Sequence, residues 1–292
     1  MKSPRGLGLR RLRAALAAVT ASAASGLLPA PAMAADPINV ATYNLRLNEP
    51  GDGPNAWPHR KEMVKALIRY HEFDIVATQE GLIDQIRELD AMPGWARVGV
   101  GRDDGRQGGE HSAIYFRSAR FKLQRHGDFW LSATPERPSI SWDSRCCHRL
   151  ATWAELRDST TGRDFLVFSV HFDHEGEVSR RESARLMLRQ VRELAAGKPV
   201  ICMGDYNATP ESEPIRTMLA GLRDAHAHSE TPPYGPVGSF NEFRFDTPAD
   251  RRIDYVFLTP GIRVLKYAVL TDSQRGRYPS DHFPVLVRLQ LP

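Results

Sequence analysis

Short apolar, β-branched runs recur along the chain from residue 38 onward, separated by turns and by a few stretches of helical period. INVATYNL (38–45), DIVATQE (74–80), LATWAELRD (150–158), KPVICMGDYN (198–207), RIDYVFL (252–258), IRVLKYAVL (262–270) and FPVLVRLQL (283–291) read as strands. TGRDFLVFSVHFD runs from a turn into a further strand ending near His171, and HSAIYFR (111–117) with the stretch after it reads as a hairpin. In HRKEMVKALIRYH (59–71), Met63, Val64, Leu67 and Ile68 fall on one face at spacings of three and four, which predicts an amphipathic helix. LIDQIREL (82–89) predicts a second helix, and SRRESARLMLRQVRELAAG (179–197) the longest. Ser179 is placed as its N-cap, Glu182 as the other half of a capping box, and Gly197 as its stop. Many strands, few helices and a C-terminal third with little helix predict two packed sheets with helices outside. A wholly parallel doubly wound sheet fits this pattern less well.

Residues 1–34 have a different character. Lys2, Arg5, Arg10, Arg11 and Arg13 precede an Ala-rich apolar stretch and then PAPAMAAD. That order describes a secretory signal peptide with cleavage after Ala34, and the apolar stretch is too short and Ala-rich for a membrane span. The mature protein is therefore expected to be secreted or periplasmic, by the general route or, given Arg10–Arg11, by twin-arginine export. The leader holds five of the 39 basic residues and no acid, so residues 35–292 carry 34 bases against 35 acids, a formal charge of −1. The basic character of the whole chain thus belongs to the leader and gives no support to a nucleic-acid partner, although a local basic patch stays open. About 258 residues remain without a repeat or long linker, the size of one α/β domain. Three cysteines do not make a disulfide scaffold. Cys146 and Cys147 are left either as a vicinal disulfide or as free thiols. No heptad array or partner-binding module is visible, so a monomer is the default.

Apolar strands repeatedly end in carboxylates, amides or imidazoles. Asn44 follows VATY, Glu80 follows DIVATQ, His171 follows FLVFSV, Asp205 and Asn207 follow VICMG, and Asp281–His282 precede FPVLV. Strand ends on one edge of a sandwich can converge although they are distant in sequence. Asn44, Glu80, Asp205, Asn207 and Asp281 then supply hard oxygen donors, which suit Mg²⁺, Mn²⁺ or Ca²⁺. The histidines lack HExxH or a short zinc-type spacing, which disfavours a zinc protease. Asp254 lies between Ile253 and Tyr255, where a carboxylate needs a partner, and His282 is the obvious one.

The motifs ATYNLR, TQEG, SVHFDH, MGDYNATP, RRIDYVF and YPSDHFPV, in that order, resemble the endonuclease/exonuclease/phosphatase superfamily, in particular its secreted bacterial branch. The resemblance spans essentially all of residues 35–292 and implies a four-layered α/β sandwich with two central mixed sheets. It implies Glu80 as the principal metal carboxylate, with Asn44 and Asp281 beside it. Asp205 would orient or deprotonate the attacking water, and Asn207 would hold a phosphate oxygen. His282, held by Asp254, and His171, supported by Glu110, would face the phosphate. Both imidazoles would be favoured in the protonated form beside a phosphate, with titration near neutral pH.

The substrate is less determined. Arg46, Arg60, Arg102, Arg149 and Arg251 neighbour these motifs and suit a terminal phosphate, or serve as surface or structural cations. Trp57, Trp130 and Trp142 could make a sugar or base platform or pack in the core. GRDDGRQGGEHS (101–112) and WLSATPERPSISWDSRCCHR (130–149) are expected as opposing rim loops. A small phosphomonoester such as a sugar phosphate is the leading substrate class. Nuclease or nucleotide phosphodiesterase, sphingomyelinase-like lipid phosphodiesterase and noncatalytic phosphate binding are the alternatives.

Overall fold

The structure, a computed structural model, describes Met1 and residues 36–292; the expected leader lies outside the described residues but for Met1. Among the described residues, twelve strands make two six-stranded mixed sheets. The first contains β1 (Ile38–Asn44), β2 (Ile75–Gln79), β3 (Trp95–Val98), β4 (Ile114–Arg117), β11 (Arg263–Val269) and β12 (Val285–Gln290), in the order β11-β12-β1-β2-β4-β3. The second contains β5 (Phe121–Trp130), β6 (Leu150–Asp158), β7 (Asp164–His171), β8 (Val200–Asp205), β9 (Arg223–Asp224) and β10 (Asp254–Leu258), in the order β5-β6-β7-β8-β10-β9. Helices α1 (Trp57–Tyr70) and α2 (Ile83–Asp90) cover the outer face of the first sheet, and α3 (Glu177–Ala195) and α4 (Glu213–Leu219) that of the second. This is the expected four-layered α/β sandwich.

Strand periodicity assigns the layers. In β1, Val40 enters the core between the sheets while Ala41 and Tyr43 pack outward with Val64, Leu67 and Ile68 of α1. In β8, Ile201 and Met203 face the first sheet while Val200 and Cys202 pack with Leu186 and Met187 of α3. Strands covered on both faces read as continuous apolar runs, which is why these were legible.

Two local expectations fail. HSAIYFR does not form a hairpin with the chain after it. β4 pairs with β2 and β3 in the first sheet, whereas β5 pairs with β6 in the second, so the turn between β4 and β5 passes from one sheet to the other. Phe121, just past that turn, packs edge-on against Phe165 of β7. Alternation marks a strand but carries no information about its partner. The proposed capping box on α3 is also absent. The N-cap is Gly176, and Ser179 lies inside the first turn. Asp143, from a distant loop, accepts the Val178 and Ser179 amides at 3.0 and 2.7 Å and the Ser179 hydroxyl at 2.6 Å. Glu182 pairs instead with Arg181 and Arg185. A carboxylate supplied by tertiary packing thus does the capping that local sequence was expected to do.

β7 and β8 run parallel in a register that sets His171 against Asp205, and the antiparallel β10 sets Asp254 against the same Asp205. Gly204 permits this close pairing, because an added Cβ would collide with the Val170 carbonyl oxygen and side chain. Gly204→Ala is expected to lower the melting temperature by about 5 °C or more and to reduce activity together with it. Thermal melting and turnover of that variant test the point; a protein unchanged in both would show that β7 and β8 can separate without harm.

Candidate active site

The site is the open end of the core between the sheets. Val40, Thr42 and Asn44 share one side of β1, as do Ile201, Met203 and Asp205 in β8 and Val256 and Asp254 in β10. The inward side of each strand therefore changes from apolar to polar as it reaches the edge. Between the two zones, Gln79 accepts from the Thr42 hydroxyl at 3.2 Å and donates to Ser169 at 3.3 Å. Just beyond the strand ends, Arg46, Glu80 and Asn207 adopt left-handed backbone, at φ of 54°, 65° and 47°. Such conformations cost roughly 1 kcal/mol or more and concentrate where a side chain must be aimed.

The strand ends and the segments beside them bring together Asn44, Glu80, Glu110, His171, Asp205, Asn207, Asp254, Asp281 and His282. Asn44 Nδ2 donates to Glu80 Oε1 at 2.9 Å and to Asp205 Oδ2 at 3.1 Å, and the Leu47 amide donates to Glu80 Oε2 at 3.1 Å. His282 Nδ1 stands 2.8 Å from Asp254 Oδ2, and its Nε2 3.8 Å from Asp205 Oδ2. His171 Nε2 lies 3.7 Å from Asp205 Oδ2 and its Nδ1 3.6 Å from Glu110 Oε2. The Asn207 amide N–H donates to Asp205 Oδ1 at 2.8 Å, and its side-chain Nδ2 to the Phe172 carbonyl at 3.1 Å. The cleft encloses about 390 Å³, and Glu80, Glu110, His171, Asp205, Asn207, Asp281 and His282 are among its lining residues. Both expected rim loops reach it, through Arg102 and Glu110 on one side and Cys147 and Arg149 on the other.

The two histidines, expected to behave alike, do not. Burial alone would push His282 down, but the charge and hydrogen bond of Asp254, helped by Asp205, push it up to about 10. Burial and the Arg149 guanidinium push His171 down to about 3. At neutral pH His282 is therefore an imidazolium and His171 a neutral ring. Burial, then the nearby Asp254 charge, raise the Asp205 carboxyl as well, which makes it a better proton acceptor than an exposed aspartate.

The donor set fits a hard divalent cation. Donor atoms of Glu80, His171 and Asp205 lie within 4.8 Å of one another. Burial lifts the Asp281 carboxyl to about 6, with Glu80 adding to the rise against the pull of His282, and a cation between these acids would relieve that repulsion. Glu80 belongs to that group of donors, and Asp281 lines the same cleft and feels the Glu80 charge. Asn44 Nδ2 faces the Glu80 and Asp205 carboxylates while its Oδ1 accepts the Arg46 amide at 3.0 Å, so in this arrangement it braces the two acids.

The arginines divide by role. Arg46, Arg102, Arg149 and Arg251 line the cleft. Arg60 does not: it is buried and donates to the carbonyls of Leu45, Arg46, Leu47, Asn55 and Pro279, tying the end of β1 to the segment before Asp281. Trp57 and Trp130 are buried rather than presented as a platform. Cys146 and Cys147 are joined as a vicinal disulfide. Two contributors had no distinct mark in the sequence. Ser239 donates to Asp254 Oδ2 at 2.6 Å, and Phe240, lining the cleft, lies against the His282 ring.

The profile of the endonuclease/exonuclease/phosphatase family matches residues 41–282. The chain belongs to that family. Members of the endonuclease/exonuclease/phosphatase family hydrolyse phosphoric esters, and the site described above spans the matched region. An endonuclease/exonuclease/phosphatase family protein from Bacteroides thetaiotaomicron is 38% identical, with a TM-score of 0.83 over 88% of this chain and 95% of that one. A mannosyl-6-phosphatase of the same organism is 38% identical, with a TM-score of 0.82 over 86% of this chain and 99% of that one. Drosophila melanogaster Nocturnin is 25% identical over 80% of this chain, which spans only 42% of that protein's length.

The Asp254–His282 pair yields a prediction. Asp254→Asn removes the charge that opposes burial, so the His282 pKa is expected to fall and the ring to lose its proton at a lower pH. Turnover at pH 7.5 should drop about 100-fold or more, and its alkaline limb should move to lower pH. NMR titration of His282 beside the pH–rate profile checks this; an unmoved His282 titration would refute the assignment.

Proposed function

We propose that the mature protein is an exported, divalent-metal-dependent phosphatase acting on a small phosphomonoester such as a sugar phosphate. The observation that carries the substrate class is the cleft itself, a space of about 390 Å³ lined by both carboxylates and guanidinium groups. A single phosphoryl group and a small ring fit such a space, and the cations offer ionic partners for a phosphate. The likeness to a mannosyl-6-phosphatase at 38% identity supports the same reading. Export rests on the composition of residues 1–34.

A divalent cation, when bound, supplies charge neutralisation at the phosphate. Asp205 orients water for in-line attack and takes its proton; its raised pKa suits that task. His282, held as an imidazolium by Asp254, donates through Nε2 to a phosphoryl oxygen as negative charge builds there. Asn207 retains a second side-chain N–H besides the one given to Phe172, available to another oxygen. His171, neutral, contributes a directional hydrogen bond rather than a charge.

The test is phosphate release by the protein expressed with its leader, assayed with Mg²⁺ or Mn²⁺ on sugar phosphates and nucleotides, with a parallel gel assay on DNA and RNA. Glu80→Ala and His282→Ala are expected to reduce release about 1,000-fold or more while the fold survives, and chelation of the metal should abolish it. Cleavage of polymer without release from monoesters would move the assignment to nuclease. N-terminal sequencing of the exported protein should begin at Ala35; an intact leader on it would overturn the processing site.

A further inference from the structure

The cleft holds more buried positive charge than these steps use. Arg149 and Arg102 have side-chain exposures of only 3% and 12%. A guanidinium withdrawn from water needs its N–H groups bonded, preferably to an acid. Arg60 shows how this chain buries one for structure, with every nitrogen committed to carbonyl oxygens. The two cleft arginines are not treated that way. Arg102 gives Nη1 to Glu110 at 2.7 Å, but its buried Nε makes no hydrogen bond. Arg149 rests largely on imidazoles: its Nη1 is 3.1 and 3.2 Å from the two nitrogens of His171, and its Nη2 donates to His174 Nδ1 at 2.6 Å. Its buried Nε also lacks a hydrogen bond. The nearest acid to that Nε, Asp173, stands 3.5 Å away and already accepts from Ser144, Glu175 and Gly176 at 2.6, 2.9 and 2.6 Å. Both residues line the cleft, and each keeps a buried Nε without a hydrogen bond.

We propose that Arg149 and Arg102 form the subsite for the unesterified oxygens of a terminal phosphoryl group, and that this subsite selects monoesters over diesters. The inference rests on the phosphatase reading and deepens it. A monoester phosphate carries a charge of about −1.5 to −2 near neutral pH and three unesterified oxygens. A diester carries one charge and two such oxygens. The planar guanidinium fork matches paired phosphate oxygens. Placement agrees: Arg149 Nη1 and Asp205 Oδ2 lie 3.1 and 3.7 Å from the same His171 Nε2, and Arg102, Arg149 and Asp205 line one cleft, so an anion bound in it is within reach of the arginines and of the water-orienting carboxylate. A second ester substituent directed toward Arg149 would replace a charged oxygen with a neutral, bulkier group and forfeit the ionic contact.

The experiment compares kcat/KM for p-nitrophenyl phosphate and bis(p-nitrophenyl) phosphate, with inorganic phosphate as competitive inhibitor. The proteins are the natural chain, Arg149→Met, Arg149→Lys and Arg102→Gln, each checked for folding by thermal melting. In Arg149→Met, monoester kcat/KM should fall about 100-fold and diester kcat/KM about threefold or less, with phosphate inhibition weakened about tenfold or more. Arg102→Gln should shift in the same direction, and Arg149→Lys should recover part of the monoester loss. Equal losses on both substrates with phosphate inhibition unchanged would overturn the subsite while leaving the phosphatase reading intact. A natural chain that cleaves only the diester would overturn both.

Discussion

The Asn44 side-chain amide donates at once to Glu80, from its own sheet, and to Asp205, from the facing one, at 2.9 and 3.1 Å. Those two bonds join the sheets where their apolar core ends, and the rest of the site is arranged about them. Asn44 is itself held by the Ser280 hydroxyl, which donates to its carbonyl at 2.7 Å and sits next to Asp281 and His282. Arg60 closes the same region from behind through the carbonyls on either side. A buried amide with two carboxylate acceptors fixes their separation more narrowly than apolar packing could, since hydrogen bonds are directional and dispersion contacts are not.

Around that bridge the charges are sorted. Asp205 sits against both imidazoles, yet the two rings take opposite states because their other neighbours differ, Asp254 for His282 and Arg149 for His171. In surroundings this dry, one neighbouring charge outweighs the intrinsic preference of an imidazole. The same burial raises the Asp281 and Asp205 carboxyls, a cost that a cation bound between them would offset.

The departures from relaxed geometry collect in the same place. Left-handed Arg46, Glu80 and Asn207 and the unpartnered Oδ1 of Asp254 all lie at or beside the cleft, where aiming side chains takes precedence over local backbone preference. Elsewhere the sandwich is held by strands buried on both faces, and the core between the sheets stays apolar up to Thr42, Gln79 and Ser169.

Much of this was determined by sequence alone. Most strands but not β3 or β9, three main helices, the sandwich architecture and the polar strand ends were legible, because burial on both faces leaves apolar runs and because carboxylates and imidazoles recur at their ends. Asp254 could be paired with His282 on the same grounds. What sequence did not determine were partners and protonation states. Nothing local in HSAIYFR says that the next strand joins the other sheet, and nothing in Ser179 says that Asp143 will cap its helix. Arg60 and Arg149 are equivalent residues in sequence terms, yet one is spent on carbonyls and the other left to two imidazoles. The states of His171 and His282 likewise follow from neighbours brought together by strand register. Local pattern reports which side of an element is buried; only the tertiary structure decides which charges that burial brings within a few ångströms of one another.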